Sequence, residues 1–477
     1  MVGLPRFMFR TPPSRTLRRR RLGPSQARAR ARFTARGRWS AAGAVVLLCA
    51  CAAAATAAAQ AAAASTQEPS TSRPPEVLSW RHQVLPLERY GELASAWEQY
   101  VEAHPEDPRA WVEWGDALRY AGDDEAARAK YARAFAIDST EAGAITAYVA
   151  DMMTHRMDHA PTARWAYRKL RSVAESSPDH APAYYMLYIA ALTQGDAVWA
   201  KESLRRMVTT GDMPPVLLDY AYNLLVSAPP GAILFTNGDN DTYPPLAQQA
   251  LYGVRPDVAI VNLSLLNTQW YIRHLREIGL PIALDDRAID ALRPTAQDRV
   301  SDQMQRHIAA HLERSSRWRE ICYAVTVYED AIAVPNDRVT SGLVWRLRSA
   351  KGARDGAPRR AAAGSEAGSD AFDLERTRRL LDEEFRLASI TDPRTDWARE
   401  SSVVHLGINY AALLGRVALG VAAEEGAPAG RPYLERTVRL LAFHDKREMA
   451  ELYLTIWEDE FPRDAAPERW RALFRRR

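Results

Sequence analysis

The sequence predicts a mixed fold in three parts: an N-terminal α-helical solenoid, a central small α/β domain with a parallel sheet, and a C-terminal helical-repeat bundle. Three observations lead there. Large and small apolar residues recur at helical spacing, with a repeat of about 34 residues, across 85–228. After Pro229-Pro230-Gly231, two short runs are apolar on both faces, as strands covered on both sides of a sheet are. From residue 372 onward only helical periodicity remains.

The first 64 residues read as a leader. Residues 1–38 hold twelve arginines, no lysine and no acid, so the formal net charge of +4 becomes −8 for the rest of the chain. A body of that sign argues against a nucleic-acid partner. Behind Arg38 come a short apolar run, Ala44 to Cys51, and Ala-rich sequence to Ala64. Basic, apolar, small is the order of a secretory signal. The rival readings are an uncleaved N-terminal anchor and lipidation, since Leu48-Cys49-Ala50-Cys51 loosely resembles a lipobox. The expected location is therefore exported, periplasmic or otherwise extracytoplasmic. Beyond the leader only Cys322 remains, in an apolar run, and it reads as a buried structural thiol.

Residues 65–84, opening Ser-, Thr- and Pro-rich, read as a linker. The helical repeat follows at 85–228. Trp111, Trp114, Gly115 and Leu118 share one helix face; after Gly122-Asp123, the residues Ala127, Tyr131 and Ala134 share another. These are the tetratricopeptide positions, with small residues at Gly115 and Ala127 where paired helices come close. One period back stand Trp97, Tyr100 and Pro105; further on stand Tyr184, Leu187, Gly195-Asp196, Ala200 and Leu204. Between them, 142–177 reads as a longer, degenerate unit.

In the central domain, 229–349, Ala232 to Thr236 reads as a buried strand, 244–252 as a helix, 258–263 as a second strand, 268–279 and 296–314 as helices, and 322–328 as a third strand. Residues 350–371 lack large apolar side chains and read as a disordered insertion. Helices at 374–390, 402–424, 433–442 and 446–461 make up the C-terminal region, 372–477. No segment after Pro74 reads as apolar for long enough to span a bilayer.

Two loops carry the candidate site. The first, after the first strand, holds Asn237, Asp239, Asn240, Asp241 and Thr242; the second holds Asn262, Ser264 and Asn267. In a parallel sheet both emerge at the carboxyl edge, where α/β domains place ligands. Asp239 and Asp241, two apart, offer oxygen ligands to one divalent cation, as in nucleotide-sugar sites. The alternative is a capping loop, whose Asn and Asp side chains bond to nearby backbone N–H groups. Trp270 and Tyr271 read as core, with an aromatic wall for a sugar ring as the alternative. His274, His307 and His311 carry no zincin pattern, and the chain has no nucleophile elbow, Walker loop or dinucleotide glycine fingerprint.

The phrases Phe235-Thr236-Asn237-Gly238-Asp239-Asn240-Asp241-Thr242-Tyr243-Pro244 and Val261-Asn262-Leu263-Ser264-Leu265-Leu266-Asn267-Thr268-Gln269-Trp270-Tyr271-Ile272 resemble the soluble C-terminal part of bacterial membrane proteins of the protein O-mannosyltransferase-like family. Tyr323-Ala324-Val325-Thr326-Val327 and Gly342-Leu343-Val344-Trp345-Arg346-Leu347 are similar to the family's next elements. The resemblance covers roughly residues 229 to 460. In that family glycosyl transfer belongs to a multi-pass membrane part; here tetratricopeptide-type units precede the matching phrases, and that part's catalytic residues have no counterpart to carry over. The expected function is an exported binding and scaffold module linked to envelope glycan or glycosylation processes. Its concave helical surface would take a protein or peptide, and its α/β domain a glycan, a polyprenyl-sugar head group or a divalent cation. The alternative is a metal-dependent glycosyl-transfer or glycan-processing enzyme using Asp239 and Asp241.

Overall fold

The computed structural model describes residues 72–156, 158–334, 338–347, 371–390 and 401–471. The leader with its signal, anchor or lipidation reading, the linker up to residue 71, and residues 350–370 of the expected insertion lie outside the described residues. The molecule is mostly helical with a small mixed sheet.

Helices α1 (Leu87–Ala103), α2 (Pro108–Tyr120), α3 (Asp124–Ile137), α4 (Ala142–Arg156), α5 (Ala160–Ser176), α6 (Pro182–Thr193), α7 (Ala197–Thr209) and α8 (Pro215–Ser227) follow in chain order, and each from α1 to α6 packs against the next. The Gly-Asp turns start two of them. Gly122 and Gly195 take φ of +94° and +67°, a region open to glycine at little steric cost. The next residue caps the helix: Asp123 accepts from the Ala126 N–H at 3.0 Å and Asp196 from the Trp199 N–H at 3.0 Å. Gly115 is small because α3 lies against it: a Cβ there would sit 2.4 Å from Cε1 of Tyr131. Tyr131 is itself fixed, its hydroxyl donating to Asp116 Oδ1 at 2.7 Å.

The expected linker is corrected over its described part, residues 72–84. This segment is a strap laid on the helices. Val77 is buried and its N–H donates to Glu113 Oε2 at 2.7 Å. Trp97 Nε1–H donates to the Pro75 carbonyl at 3.1 Å. Trp80 stacks on Tyr120 at 4.8 Å between ring centroids. Two large aromatic contacts and a buried valine give a Pro-rich stretch enough apolar area to order it.

The expected sheet is also corrected: it is mixed. Strands β1 (Ala232–Thr236), β2 (Ala259–Asn262), β3 (Glu320–Ala324), β4 (Arg338–Ser341), β5 (Val344–Leu347) and β6 (Ala371–Phe372) run in the order β2-β1-β3-β5-β4-β6. β1 pairs parallel with β2 and with β3, as expected; β5 pairs antiparallel with both β3 and β4. β4 and β5 form a two-residue hairpin, with Gly342 at φ +57°. Ala371, assigned by sequence to the insertion, is in β6. Crossing elements are α9 (Tyr243–Tyr252), a 3₁₀ turn (Leu265–Asn267), α10 (Gln269–Glu277), α11 (Asp286–Ala291) and α12 (Val300–His311).

Beyond β6, α13 (Leu374–Arg379) ends in a π turn (Leu380–Glu384); the helix stops at Phe385 and residues 388–390 form a turn, where the sequence reading had a helix to residue 390. Then come α14 (Ser401–Glu425), α15 (Ala427–Phe443), α16 (Arg447–Glu460) and α17 (Ala466–Arg471). By length and composition α14 could cross a membrane, Leu406–Glu425 having a mean hydropathy of 1.5, which corrects the sequence reading; 61% of that window is buried within the protein, as in a core helix.

The parts share cores. Tyr243 and Ala247 of α9 belong to the apolar cluster of α4 to α7. Asn223 of α8, fully buried, donates to the Arg386 carbonyl at 2.9 Å and the Tyr410 hydroxyl oxygen at 2.7 Å, and accepts from the Arg386 N–H at 2.7 Å. All described residues fall in one compact unit.

Candidate functional site

The register Thr236↔Asn262 brings the two polar loops out side by side, at the carboxyl ends of neighbouring parallel strands. The loops are tied to each other. Asn262 Nδ2–H donates to Thr242 Oγ1 at 2.9 Å, and Thr242 Oγ1 shares a hydrogen bond with Thr236 Oγ1 at 2.7 Å. Asn262 Oδ1 accepts from the Leu265 N–H at 2.9 Å. Asn267 spans onward, donating to the Leu263 and Ser264 carbonyls and accepting from the Ser301 N–H at 3.0 Å. Ser264 opens the 3₁₀ turn, its carbonyl taking the Asn267 N–H at 3.3 Å. Buried amides here tie loops together.

The two carboxylates differ. Asp241 is buried, and both its oxygens are engaged: Oδ2 accepts from the Asn237 N–H and Oδ1 from the Gly238 N–H, each at 2.8 Å, and the Thr326 hydroxyl also donates to Oδ2. Burial raises its pKa above the ordinary carboxylate value, against these hydrogen bonds, which lower it. Asp241 closes its own turn, as the capping alternative describes. Asp239 has a side chain 43% exposed and pairs with Arg81, Nη1 to Oδ2 3.4 Å. One carboxylate is saturated by backbone donors and the other faces a guanidinium, so the pair does not fit a shared cation. Among the described residues no three His, Cys, Asp or Glu side chains cluster to hold a metal ion.

Sequence reasoning misses Arg81. It lies 3.7 Å over the Tyr185 ring, 3.9 Å from Asp212, and its carbonyl accepts from Asn240 Nδ2–H at 3.1 Å. Burial works against its charge, but Tyr185, Asp239 and Asp212 outweigh that and raise its pKa. Burial alone would raise the Asp212 carboxyl; the hydrogen bond from His82, at 2.9 Å, and the Arg81 charge outweigh it and hold the carboxyl low. The signal that could have found Arg81 is the Trp80-Arg81 pair: a large aromatic beside a cation is unusual in a linker. The strap thus crosses α2 and α6, first helices of their pairs, on its way to the Asp239 loop.

A hollow of about 170 Å³ lies elsewhere, along the outer side of β2. Of the eight predicted site residues only Thr242 reaches its wall. Tyr188, Tyr243, Tyr271 and Trp318 supply aromatic surface, and Gln249, His274 and Arg317 polar groups. Tyr271 is buried, as the core reading has it, and also lines this hollow, while its hydroxyl takes the Asn262 N–H at 3.1 Å. Burial lowers the His274 pKa, with Glu277 opposing. His307 Nε2 accepts from the Ala283 N–H at 3.0 Å and its ring stacks on His311, a structural pair. Cys322 is buried in β3, and burial raises its pKa, so it is a core thiol.

Residues 217–281, which hold both loops and most of the hollow's wall, match the family model of TMEM260-associated domain 2. No curated protein matches the sequence. Among solved structures, the crystal structure of MamA protein aligns at 16% identity over 42% of this chain and 90% of that one, with a TM-score of 0.23. The structure of Naa15/Naa10 bound to HypK-THB aligns at 14% identity over 81% of this chain and 58% of that one, with a TM-score of 0.16. At these scores neither defines the fold.

Proposed function

We propose that this chain is an exported binding and scaffold module of tetratricopeptide type, serving envelope glycan or glycosylation processes and holding a protein partner. The observation that carries the reading is Asp241: its oxygens are taken by the amides of its own turn, so the polar loops frame the domain and do not present a metal-assisted acid or base. The helical pairs at 108–209, with close approaches at Gly115 and Gly-Asp turns, support a repeat scaffold. The match at 217–281 supports the link to glycosylation. The other reading, a metal-dependent glycosyl-transfer enzyme, has one observation on its side, the exposure of Asp239.

The test is thermal melting of the full chain with Mn²⁺, Ca²⁺ and sugar nucleotides, beside an assay for release of labelled sugar from donor. A ligand specific to the folded state raises the melting temperature by mass action. The binding reading expects no turnover, no cation shift that Asp239→Ala abolishes, and a partner recovered by cross-linking. Turnover lost in Asp239→Ala would overturn it.

A further inference from the structure

The hollow beside β2 combines three features that the polar loops lack. The first is an unpaired strand edge. β2 ends the sheet. The Leu263 N–H donates inward to the Thr236 carbonyl at 3.0 Å, while the preceding Asn262 N–H donates outward to the Tyr271 hydroxyl oxygen at 3.1 Å. Strand groups alternate sides residue by residue, so the N–H and C=O of Ile260 also face outward, into the hollow that Ile260 lines. A main-chain pair held among aromatic rings gains from a partner of the same kind.

The second is the shape and polarity of the walls. About 170 Å³ between Tyr188, Tyr243, Tyr271 and Trp318 suits one large side chain. Among the described residues the Tyr188 hydroxyl and the His274 ring have no hydrogen-bond partner, which leaves polar groups in the wall. The third is the mouth. Five large apolar residues are exposed among the described residues, and one of them, Ile278, 41% exposed, is in the wall itself. Arg317, exposed at the rim, stacks on Trp318 and bonds weakly to the Ile278 carbonyl at 3.5 Å, with no carboxylate partner among the described residues. The wall holds no acid and no lysine.

We infer that this hollow is a recognition site for an extended, acidic segment of a partner protein, which pairs its main chain with Ile260, seats one aromatic or large aliphatic side chain among the tyrosines, and sets a carboxylate against Arg317. Strand addition with side-chain pockets is a recurrent peptide-recognition mode, and charge complementarity selects an acidic occupant. The strap meets α6 at Tyr185, whereas the hollow is walled by Tyr188 and Leu192 of that helix together with the α/β part. The inference rests on the binding-module reading and names where its partner sits.

The probe is an N-acetylated, C-amidated heptapeptide with a central phenylalanine, flanking valines and two outer aspartates, fluorescently labelled and titrated into the full chain. Saturable binding below about 1 mM is expected. Replacing the phenylalanine by alanine, N-methylating the three central residues, or exchanging the aspartates for lysines each weakens it about tenfold or more. Ile278→Asp and Arg317→Glu, both at exposed positions, weaken it likewise without changing the melting temperature, and Arg317→Glu prefers the lysine peptide. No binding by the peptide, binding indifferent to both variants, or binding of a hexose phosphate in its place overturns the inference. A partner still cross-linked to both variants at full yield sinks this site and leaves the module reading standing; a chain with no cross-linked partner sinks the module reading itself.

Discussion

Arg81 and Asp239, 158 residues apart, meet with Nη1 3.4 Å from Oδ2, and this contact joins the strap to the polar loop. The two ends of the pair are unequal. Arg81 has a side chain 17% exposed and also faces Asp212, whose side chain is 11% exposed. Arg81→Ala leaves that carboxylate short of a cation and removes the contact with Tyr185, so a loss of about 2–4 kcal/mol is expected. Asp239→Ala, at the exposed end, costs within about 1 kcal/mol. Urea unfolding of both variants checks the ordering; equal losses would mean that the strap is held by other contacts.

Asp241 accepts two backbone N–H groups and a hydroxyl in a buried turn. Asp241→Ala strands those donors and is expected to cost about 2–4 kcal/mol. Asp241→Asn fits the space but turns one acceptor into a donor, and loses about 1–3 kcal/mol. Neither variant changes the response of the melting temperature to Mn²⁺ or Ca²⁺. A cation shift present in the native chain and absent in Asp241→Asn would restore the metal reading.

Much of this is legible in the sequence, because repeat positions and strand runs are local. Gly115, Ala127 and Tyr131 announce a close helix pair, and the structure puts Tyr131 where a Cβ on Gly115 would be. The polar loops belong side by side because parallel neighbours must emerge together, and Thr236 and Asn262 are in register. What escapes is set by distance along the chain or by charge within strands. Composition makes 65–84 a linker, whereas Arg81 acquires its partners only when residues 185, 212 and 239 fold around it. The β4–β5 hairpin carries Arg338 and Arg346 in its short strands, which breaks the apolar signal. The hollow is assembled from α6, α9, β2, α10 and the approach to β3, so no single stretch of sequence describes it.

Two glycines test the packing argument in opposite directions. Gly115→Ala forces its new methyl against Tyr131, whose hydroxyl is held by Asp116, and is expected to destabilise by about 1–3 kcal/mol. Gly91, within α1, has open space where a Cβ would stand, with nothing within 4 Å. Gly91→Ala is expected to stabilise by about 0.5–1 kcal/mol, since alanine is the better helix former. Differential scanning calorimetry should move the melting temperature down in the first and up in the second.

His444 supplies a pH dependence. Its ring lies where a Cβ on Gly407 would be, 2.5 Å from Nε2, and burial, then Lys446, lower its pKa from 6.5 to about 4. The unfolded ring therefore takes a proton before the folded one does. Stability is full above about 6.5 and falls as the pH drops towards about 4, by at most about 1.4 kcal/mol per pH unit. Glu113, raised by burial from 4.5 to about 7, acts in the opposite sense: the folded state holds its proton more tightly, and that contribution fades as the pH rises from 4.5 to 7. The two partly cancel, so the measurement is a difference. The gap in unfolding free energy between the native chain and His444→Gln should shrink as the pH is lowered from 7 to 4.5. A constant gap would refute the assignment.

The strap also fixes an order of events during vectorial synthesis. Its arginine leaves the ribosome 158 residues before Asp239 does. At about 5–20 residues per second the interval is roughly 8–30 s. For that time Val77 and Trp80 await the loop that will anchor the end of their segment, so a segment made before the helices it lies on completes its docking after them.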